Sequence, residues 1–457
     1  MCPSKAQAAM SAYRAVILAG GKGLRMRSDR PKVLHKICGE ALINMVLSAI
    51  EASSITDPTV TVVPCDQSTM YDTIHHRTEF AVQREAKGSG HALLQAKNKV
   101  GDSKNIVVLN GDVPFVSPKT INRLICAHQQ NNAHITLLTS TLVSPKDMGR
   151  IYRTSDGEIQ SIIESGETNS KTSLIDEVNA GLYCFKSSWL WEALEAINPS
   201  RTGEFYITDL VKIATKQKLS VQSISSSDEL ESMGINTRLE LSLAENLYRK
   251  RLTENLMISG VTLTDPATVY IDQQVIVEPD TVILPNTHLK GATKIRRGCT
   301  IGPNTIIQDT NIGSSCPVRS SVIEGAVLED NVTIGPFSHI RKGSLLERNV
   351  RIGNYAEIKN SHIGENSRSG HYSYIGDARV GREVNIGAGT ITCNYDGNEK
   401  HLTTIGDHAF IGCNTMLVAP VNIGQNSVTG TGSVINKDVP PYSKAIGSPA
   451  RIFKNEK

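Results

Sequence analysis

The sequence predicts an α/β fold followed by an all-β one: an N-terminal Rossmann-like domain, a linker helix, and a C-terminal parallel β-helix of hexapeptide repeats. Three observations predict it. Apolar strand-like runs alternate with helical patterns from Ala15 to about Ser225, as in a mostly parallel sheet covered by helices. Between Thr237 and Met257, Leu243, Leu247, Leu252 and Leu256 form an apolar stripe among Glu, Arg and Lys, the pattern of an amphipathic helix. Beyond Val261 helical periodicity vanishes and an aliphatic-Gly pair recurs, the mark of a repeat architecture. These changes of texture set domain boundaries at 12–236, 237–258 and 259–457.

Val16-Ile17-Leu18 is the first strand, and the glycine loop Leu18-Ala19-Gly20-Gly21-Lys22-Gly23 closes it. Leu42, Met45, Val46, Ala49 and Ile50 then recur at helical spacing, and Thr59 to Val63 reads as a buried strand halted by Pro64. Ile106 to Leu109 is a further strand, ending in Asn110-Gly111-Asp112-Val113-Pro114. In open α/β sheets ligands bind at the carboxyl ends of strands. The linker helix, at about 1.5 Å per residue, is long enough to hold two domains apart.

In the C-terminal part the pairs begin at Ile301, Ile312, Ile334, Ile352, Ile363, Ile375, Val380, Ile386, Ile405, Ile411 and Ile423. Steps such as 334 to 352 and 405 to 423 are multiples of six, while steps of eleven or five predict irregular turns. A hexapeptide period suits a parallel β-helix, in which each short strand turns one aliphatic side chain inward and a Gly or Asn accepts unusual backbone angles at the corner. Between Thr392 and Thr403 the inward aliphatics lapse. That segment reads as a loop projecting from the coil.

Composition excludes several classes. The 457 residues carry 48 Lys plus Arg against 45 Asp plus Glu, a net charge of +3, with no basic run or aromatic-basic interleaving, so no nucleic-acid groove is expected. The nine cysteines form no CxxC pair and no metal spacing with His, which reads as reduced thiols in a cytosol. No stretch of about twenty apolar residues predicts membrane insertion. The first thirteen residues are small and polar without an apolar core, and Met10 offers an alternative start. A soluble, unexported, cytoplasmic protein is expected.

A glycine cluster after a strand brings backbone N–H groups close to phosphates. The Gly20-Gly21-x-Gly23 spacing is neither a Walker loop nor a dinucleotide fingerprint, and by itself fits a tight turn equally well. Arg25 and Lys32 add two cations suited to the charge of a triphosphate. Asp112, at a strand end, suits Mg²⁺, a hard cation preferring oxygen ligands, although an Asp after Gly is also an ordinary turn residue.

The run ILAGGKGLRM followed by Pro31-Lys32 resembles the sugar-1-phosphate nucleotidyltransferases. Over nearly the whole chain the sequence is similar to the bacterial bifunctional N-acetylglucosamine-1-phosphate uridylyltransferases and glucosamine-1-phosphate N-acetyltransferases. The resemblance implies that Leu18, Ala19, Gly20 and Gly21 contact the uridine nucleotide, Lys32 the phosphates, and Gln83, Gly88 and Ser89 the uracil. It gives nucleotide and metal to Asn110, Gly111 and Asp112, the sugar to Gly149, Glu164 and Asn179, and completion of the Mg²⁺ site to Asn236. Gly203 to Asp209 fits the same family. Leu24 departs from the usual Thr, Gly166 from a charged residue, and Asn110 from an aromatic. The implied reaction is in-line attack of a sugar 1-phosphate on the α-phosphorus of UTP, releasing pyrophosphate.

In the β-helix the richest polar cluster runs from Arg341 through Lys359, His371 and Tyr374 to Asn385, which coil stacking is expected to gather on one face. A surface histidine is ordinarily structural, but this one accompanies cations suited to a sugar phosphate, and imidazole suits proton transfer near neutral pH. The resemblance makes His371 the general base for attack of the sugar amine on acetyl-CoA, with Glu357 orienting it. It gives phosphate to Arg341 and Lys359, sugar to Tyr374 and Asn385, the acetyl donor's vicinity to Asn394 and Tyr395, and oxyanion stabilisation to the Ala388 N–H. Cys413 stands for Ser, Thr431 for Ala and Ser448 for Arg on the coenzyme A side, where Arg451 is a candidate substitute cation. Cys413 also reads as a small packed side chain. The resemblance further implies a left-handed β-helix, a homotrimer with acetyl sites between subunits, and UDP-N-acetylglucosamine as product for peptidoglycan and lipopolysaccharide precursors. Two rivals stay open: a nucleotidyltransferase whose β-helix only oligomerises or binds an effector, and a noncatalytic regulatory subunit on the same folds.

Overall fold

The computed structural model describes residues 13–454 except 22, 66, 67, 146, 171 and 202. Met10 and Lys22 of the glycine loop lie outside the described residues. The chain divides into two compact units between Glu245 and Asn246.

The first unit is a sheet of β1 (Tyr13–Leu18), β2 (Thr59–Pro64), β3 (Thr78–Gln83), β4 (Asn105–Asn110), β5 (Ile135–Thr141), β6 (Arg150–Arg153), β7 (Ile159–Ile163), β8 (Glu177–Lys186) and β9 (Val221–Ser225). Its main path runs β9-β5-β8-β4-β1-β2-β3. β1 is central and parallel to β2 and β4, whereas β8 is antiparallel to both of its neighbours β4 and β5. The β6–β7 hairpin hangs from β8 through the Val178–Arg150 pair. Pro64 does not halt β2 early but is its last residue, paired with Gln83, a position where the missing N–H costs little.

Because side chains alternate across a strand, Ala15 and Ile17 of β1 join one core and Val16 the other. The first core is covered by α1 (Leu42–Glu51), which contributes Ile43, Val46, Leu47 and Ile50. The second is covered by α2 (Ser89–Gln95), with Ala92 and Leu93. Helix α3 (Pro118–Gln130) returns to the first, and α4 (Ser187–Glu195) and α5 (Asp209–Lys216) complete the second. Helix α6 (Arg238–Ile258) spans the division between the units. Its apolar stripe is not the one expected: Leu243 is exposed, Ala244 is buried in its place, and Leu252 and Leu256 pack onto the core of the second unit.

That second unit stacks short parallel strands into three faces. The first face starts at Thr262–Leu263, the second at Tyr270–Ile271 and the third at Ile276–Val277. Val282 pairs with Thr300, Arg351 with Arg368 and Asn311 with Val327, so an uninterrupted coil takes 18, 17 or 16 residues. The expected irregular turns are sides shortened to five residues: Ile301, Ile307 and Ile312 are all buried at successive inward positions. Every aliphatic of the recurring pairs is buried. Polar residues replace it at Ser369, Thr392 and Thr429, where the Thr392 and Thr429 hydroxyls accept from Gly376 N at 2.8 Å and Gly412 N at 2.9 Å.

The coil-to-coil offset rises to 25 where Val380 pairs with Ile405, the signature of the projecting loop. The loop is braced from within. Asp396 accepts from the N–H groups of Asn398 and Glu399, both at 2.8 Å, and pairs with His401 at 2.7 Å; these bonds hold its carboxyl well below the usual carboxylate range. The last described residues form an antiparallel hairpin of Ser443–Gly447 and Ala450–Lys454.

Candidate functional site

In the first unit the carboxyl ends of β1, β3 and β4 wall a cavity of about 620 Å³. Leu18, Ala19, Gly20, Gly21, Gly23, Arg25, Lys32, Gln83, Gly88, Ser89, Asn110, Asp112 and Asn236 line it, with Leu24 at its edge 80 % exposed. The glycines are required sterically. Gly23 has φ +60° and a Cβ there would lie 2.7 Å from Lys32 Cβ; Gly88 has φ +96° and a Cβ would lie 2.6 Å from Phe205 O. Both backbones are in the region that favours glycine. Ser89 is fixed by the N–H of Ile207 donating to its Oγ at 3.0 Å.

Lys32 organises the polar end. Its ammonium pairs with the Asp112 carboxylate and donates to Asn236 Oδ1 at 3.0 Å. Arg25 also donates to Asn236 Oδ1, at 3.0 Å, and its guanidinium stands 3.9 Å from Asp147. The Asp112 backbone is tied by Ile235 N donating to its carbonyl at 3.0 Å. One carboxylate and one amide oxygen thus converge on the position of a cation. That donor set fits Mg²⁺, which takes one or two protein oxygens and fills its octahedron with phosphate and water. Among the described residues no group of three or more His, Cys, Asp or Glu forms a metal cluster.

Gly111, Gly149, Glu164 and Asn179 are not on that cavity wall. Gly111 is packed beneath the loop, donating to Leu18 O at 3.0 Å. The other three form a neighbouring group: Asn179 N donates to Gly149 O at 2.9 Å, and Asn179 Nδ2 donates to Tyr183 OH at 2.6 Å. Glu164 accepts from Thr208 Oγ1 at 2.7 Å, and burial raises its pKa above the ordinary carboxylate value. Asn110 links the groups. Its amide lies against Gly181, whose φ of +74° and lack of a side chain make room for it. Glu204, also on the cavity wall, had no distinguishing sequence signal beyond its place in the Gly203 to Asp209 run.

The β-helix residues do not all share one face. Glu357 and Tyr374 are register partners on the second face, with Arg341 and Lys359 at its strand ends, while Asn385 lies on the first face beside Arg368. His371 occupies the edge between them. Three more candidates continue that edge on successive coils. Ser369 pairs with Ile386 and Tyr374 with Ile391, the same offset of 17 that sets His371 opposite Ala388, and Asn414 N donates to Ala388 O and Gly432 N to Cys413 O, at 2.7 and 2.8 Å, so His371, Ala388, Cys413 and Thr431 stack in a column with the spacing of adjacent strands, about 4.8 Å. His371 and Thr431 are exposed. Cys413 is exposed too and is not a packed side chain. Among the described residues the Ala388 N–H donates no backbone hydrogen bond, which leaves it available to a ligand.

Glu357, expected to orient His371, instead bonds Arg341 at 2.7 Å, and among the described residues no bond joins it to the histidine. Tyr374 OH stands 3.4 Å from Asn394 Nδ2, which also donates to Asp377 Oδ2 at 2.5 Å. Asn394 is buried and Tyr395 exposed on the projecting loop. The same loop supplies Lys400 beside Lys359, and this neighbouring cation lowers the Lys359 pKa. Sequence spacing gave no sign of that pair, because Lys400 sits in the insertion, out of phase with the repeat. Two ammonium groups and Arg341 form a patch suited to a dianion. Arg451 is exposed in the terminal hairpin.

Comparison with known proteins agrees with this division. The nucleotidyl transferase family matches residues 14–229, and the bacterial transferase hexapeptide (six repeats) family matches 325–360 and 402–437. With the stacked strands, this gives a Rossmann-like nucleotidyltransferase domain and a left-handed hexapeptide β-helix. Bifunctional protein GlmU of Syntrophomonas wolfei is 42 % identical over 94 % of this chain and 96 % of its own. The proteins of the same name from Clostridioides difficile and Streptococcus agalactiae are 39 % and 40 % identical, each over 97 % of this chain and over 96 % and 97 % of theirs. With such identity along nearly the full length of both partners, the chain belongs to the bifunctional GlmU family.

Proposed function

We propose that the chain makes UDP-N-acetylglucosamine in two steps: acetyl transfer from acetyl-CoA to glucosamine 1-phosphate on the β-helix, then uridylyl transfer from UTP to N-acetylglucosamine 1-phosphate in the α/β domain. The observation carrying a two-step reading over uridylyl transfer alone is the edge column from His371 to Thr431 beside the Arg341, Lys359 and Lys400 patch. A β-helix that only oligomerised would have no use for it.

For acetyl transfer the sugar phosphate binds the cationic patch, which aims its 2-amine at the edge. The amine nitrogen bonds to the thioester carbonyl carbon, the Ala388 N–H donates to the oxyanion, and His371 takes the amine proton. The C–S bond then breaks and coenzyme A leaves as its thiol, the proton returning to sulfur. Tyr374, Asn385, Asn394 and Tyr395 hold sugar and donor, with Glu357 fixing Arg341. Arg451 is assigned to the coenzyme A side.

For uridylyl transfer a phosphate oxygen of the sugar attacks the α-phosphorus of UTP in line, and the bond to the β-phosphate breaks, releasing pyrophosphate. Lys32, Arg25 and the loop N–H groups bind the phosphates and balance charge. Gln83, Gly88 and Ser89 hold the base, and Gly149, Glu164 and Asn179 the sugar. Asp112 and Asn236 would hold Mg²⁺, which when bound neutralises phosphate charge. The working unit is assigned as a homotrimer in the cytoplasm, where UTP and acetyl-CoA are found, with domains 12–236 and 259–457 joined by 237–258; a monomeric mass with full acetyl transfer would contradict the trimer.

Protein supplied with glucosamine 1-phosphate, acetyl-CoA, UTP and Mg²⁺ should form UDP-N-acetylglucosamine. His371→Ala should block this until N-acetylglucosamine 1-phosphate is added, and Asp112→Ala should stop only the second step. Failure of that rescue would refute two independent sites.

A further inference from the structure

The α/β cavity contains a buried amide whose polarity is set from outside the site. Gln83 is buried beneath Gly20, so close that a Cβ on Gly20 would come within 2.3 Å of Gln83 Oε1. On its other side Gln83 Nε2 lies 3.2 Å from Gly88 O and 3.0 Å from His91 Nδ1. A carbonyl can only accept, so the Gly88 contact requires the nitrogen of the amide there, and the second N–H then needs an acceptor. His91 Nδ1 is that acceptor. The ring proton is then left on Nε2, which faces the Gln95 amide nitrogen at 3.4 Å, a group that donates to His91 O at 3.2 Å and cannot accept; the shorter 3.0 Å contact to Gln83 decides the tautomer. With both N–H groups spent on Gly88 and His91, Gln83 can offer a base only its oxygen.

The polarity matters because the two pyrimidines differ at this edge. Uracil carries an N3–H donor and an O4 acceptor, whereas cytosine carries an unprotonated N3 and an N4 amino donor. An amide held oxygen-outward accepts from uracil N3–H and sets a lone pair against cytosine N3. An amide free to turn over would donate to cytosine N3 instead. Gly88 alone restrains only one of the two N–H groups, and His91 supplies the second restraint from α2. We propose that His91, which lines neither the cavity nor the reacting groups, is a positioning residue that fixes the Gln83 amide and thereby selects uracil over cytosine nucleotides. This rests on the assignment of the cavity to UTP.

The test compares kcat/KM for UTP and CTP in the full-length protein with N-acetylglucosamine 1-phosphate, reading pyrophosphate release. Wild type should favour UTP strongly. His91→Phe keeps the ring volume without the acceptor, and the UTP:CTP ratio should fall about tenfold, the usual weight of one such hydrogen bond, mainly through KM. His91→Asn places Oδ1 near the position of Nδ1 and should restore the ratio. If His91→Phe melts early, His91→Ala carries the same expectation. A ratio within twofold of wild type in the folded acceptor-free variant overturns the proposal while leaving the UTP assignment intact, as does an equal loss in His91→Asn. A wild-type enzyme that transfers no uridylyl group, or does not prefer UTP, overturns the assignment itself and the proposal with it.

Discussion

Replacing Lys32 by Met removes one ammonium and keeps most of the side-chain volume, and its two consequences can be separated. The side chains of Lys32 and Asp112 are only 16 % and 18 % exposed, so truncation leaves a carboxylate largely withdrawn from water with its cation gone. Discounted for the remaining solvent, that costs about 1–3 kcal/mol of stability, or roughly 2–12 °C in Tm for a domain of this size. The catalytic loss is larger. One preorganised donor aimed at developing charge contributes a factor of about 10²–10³, roughly 3–4 kcal/mol, so kcat/KM for UTP should fall by that factor. Acetyl transfer, followed by thiol release, should not change. The double variant Lys32→Met/Asp112→Asn has no orphaned charge and should recover most of the stability but none of the rate. Uridylyl transfer by Lys32→Met within threefold of wild type would refute the role given to this ammonium, and continued instability of the double variant would refute the account of its pairing.

Three further outcomes follow from local electrostatics. Because Lys400 lowers the Lys359 pKa, Lys359 loses its proton at lower pH than an ordinary lysine; Lys400→Gln should move the alkaline fall of kcat/KM for glucosamine 1-phosphate to higher pH while weakening binding near neutrality by several-fold, and an unmoved alkaline limb would refute the coupling. Glu164 is buried with a raised pKa, so its contribution to stability is greatest below the unfolded carboxylate pKa and is lost as pH rises through the raised folded value; Glu164→Gln, which keeps the acceptor for Thr208, should gain stability at neutral pH by urea titration and lose sugar affinity. His128 lies buried between Thr136 Oγ1 at 3.0 Å and Asn105 Oδ1 at 3.2 Å, with its pKa pushed down to about 4. Its folded pKa is depressed, so stability is full above the unfolded value and is lost as pH falls from about 6.5 towards 4, up to roughly 3 kcal/mol in all; a flat stability profile over that window would refute the assignment.

Much of the architecture was legible because it is periodic. The inward aliphatics of the β-helix announce themselves every six residues, and the lapse after Thr392 located the projecting loop. Polar partners across coils were not legible, since they depend on register: five-residue sides such as Ile307 to Ile312 shift the phase of all that follows. That is why Arg341, Tyr374 and Asn385, close in order along the repeat, occupy two faces, and why Glu357 meets Arg341 one coil back. In the α/β unit the strand-loop pattern marked Gly20 and Asp112, but the bond from Lys32 to Asn236 joins residues 204 positions apart. No local pattern reports such a closure. Leu243 misled for a related reason: helical spacing defines a stripe without saying whether a surface covers it.

The positions where the resemblance leads one to expect another side chain, Leu24, Cys413 and Thr431, lie where the backbone tolerates change. At the edge column the steric demand falls on the glycines that precede these positions: a Cβ on Gly412 would lie 2.6 Å from Thr429 O, and one on Gly430 would lie 3.0 Å from Ile446 Cγ1. The next residues, Cys413 and Thr431, point into solvent and carry no such demand. The side chain at either position can therefore change, serine for thiol or alanine for threonine, without disturbing coil stacking. Leu24 obeys the same logic, being exposed just after Gly23, whose left-handed backbone packs on Lys32. The physical requirement at both places is close backbone approach at the glycine, and the side chain that follows it is exposed and free of that requirement.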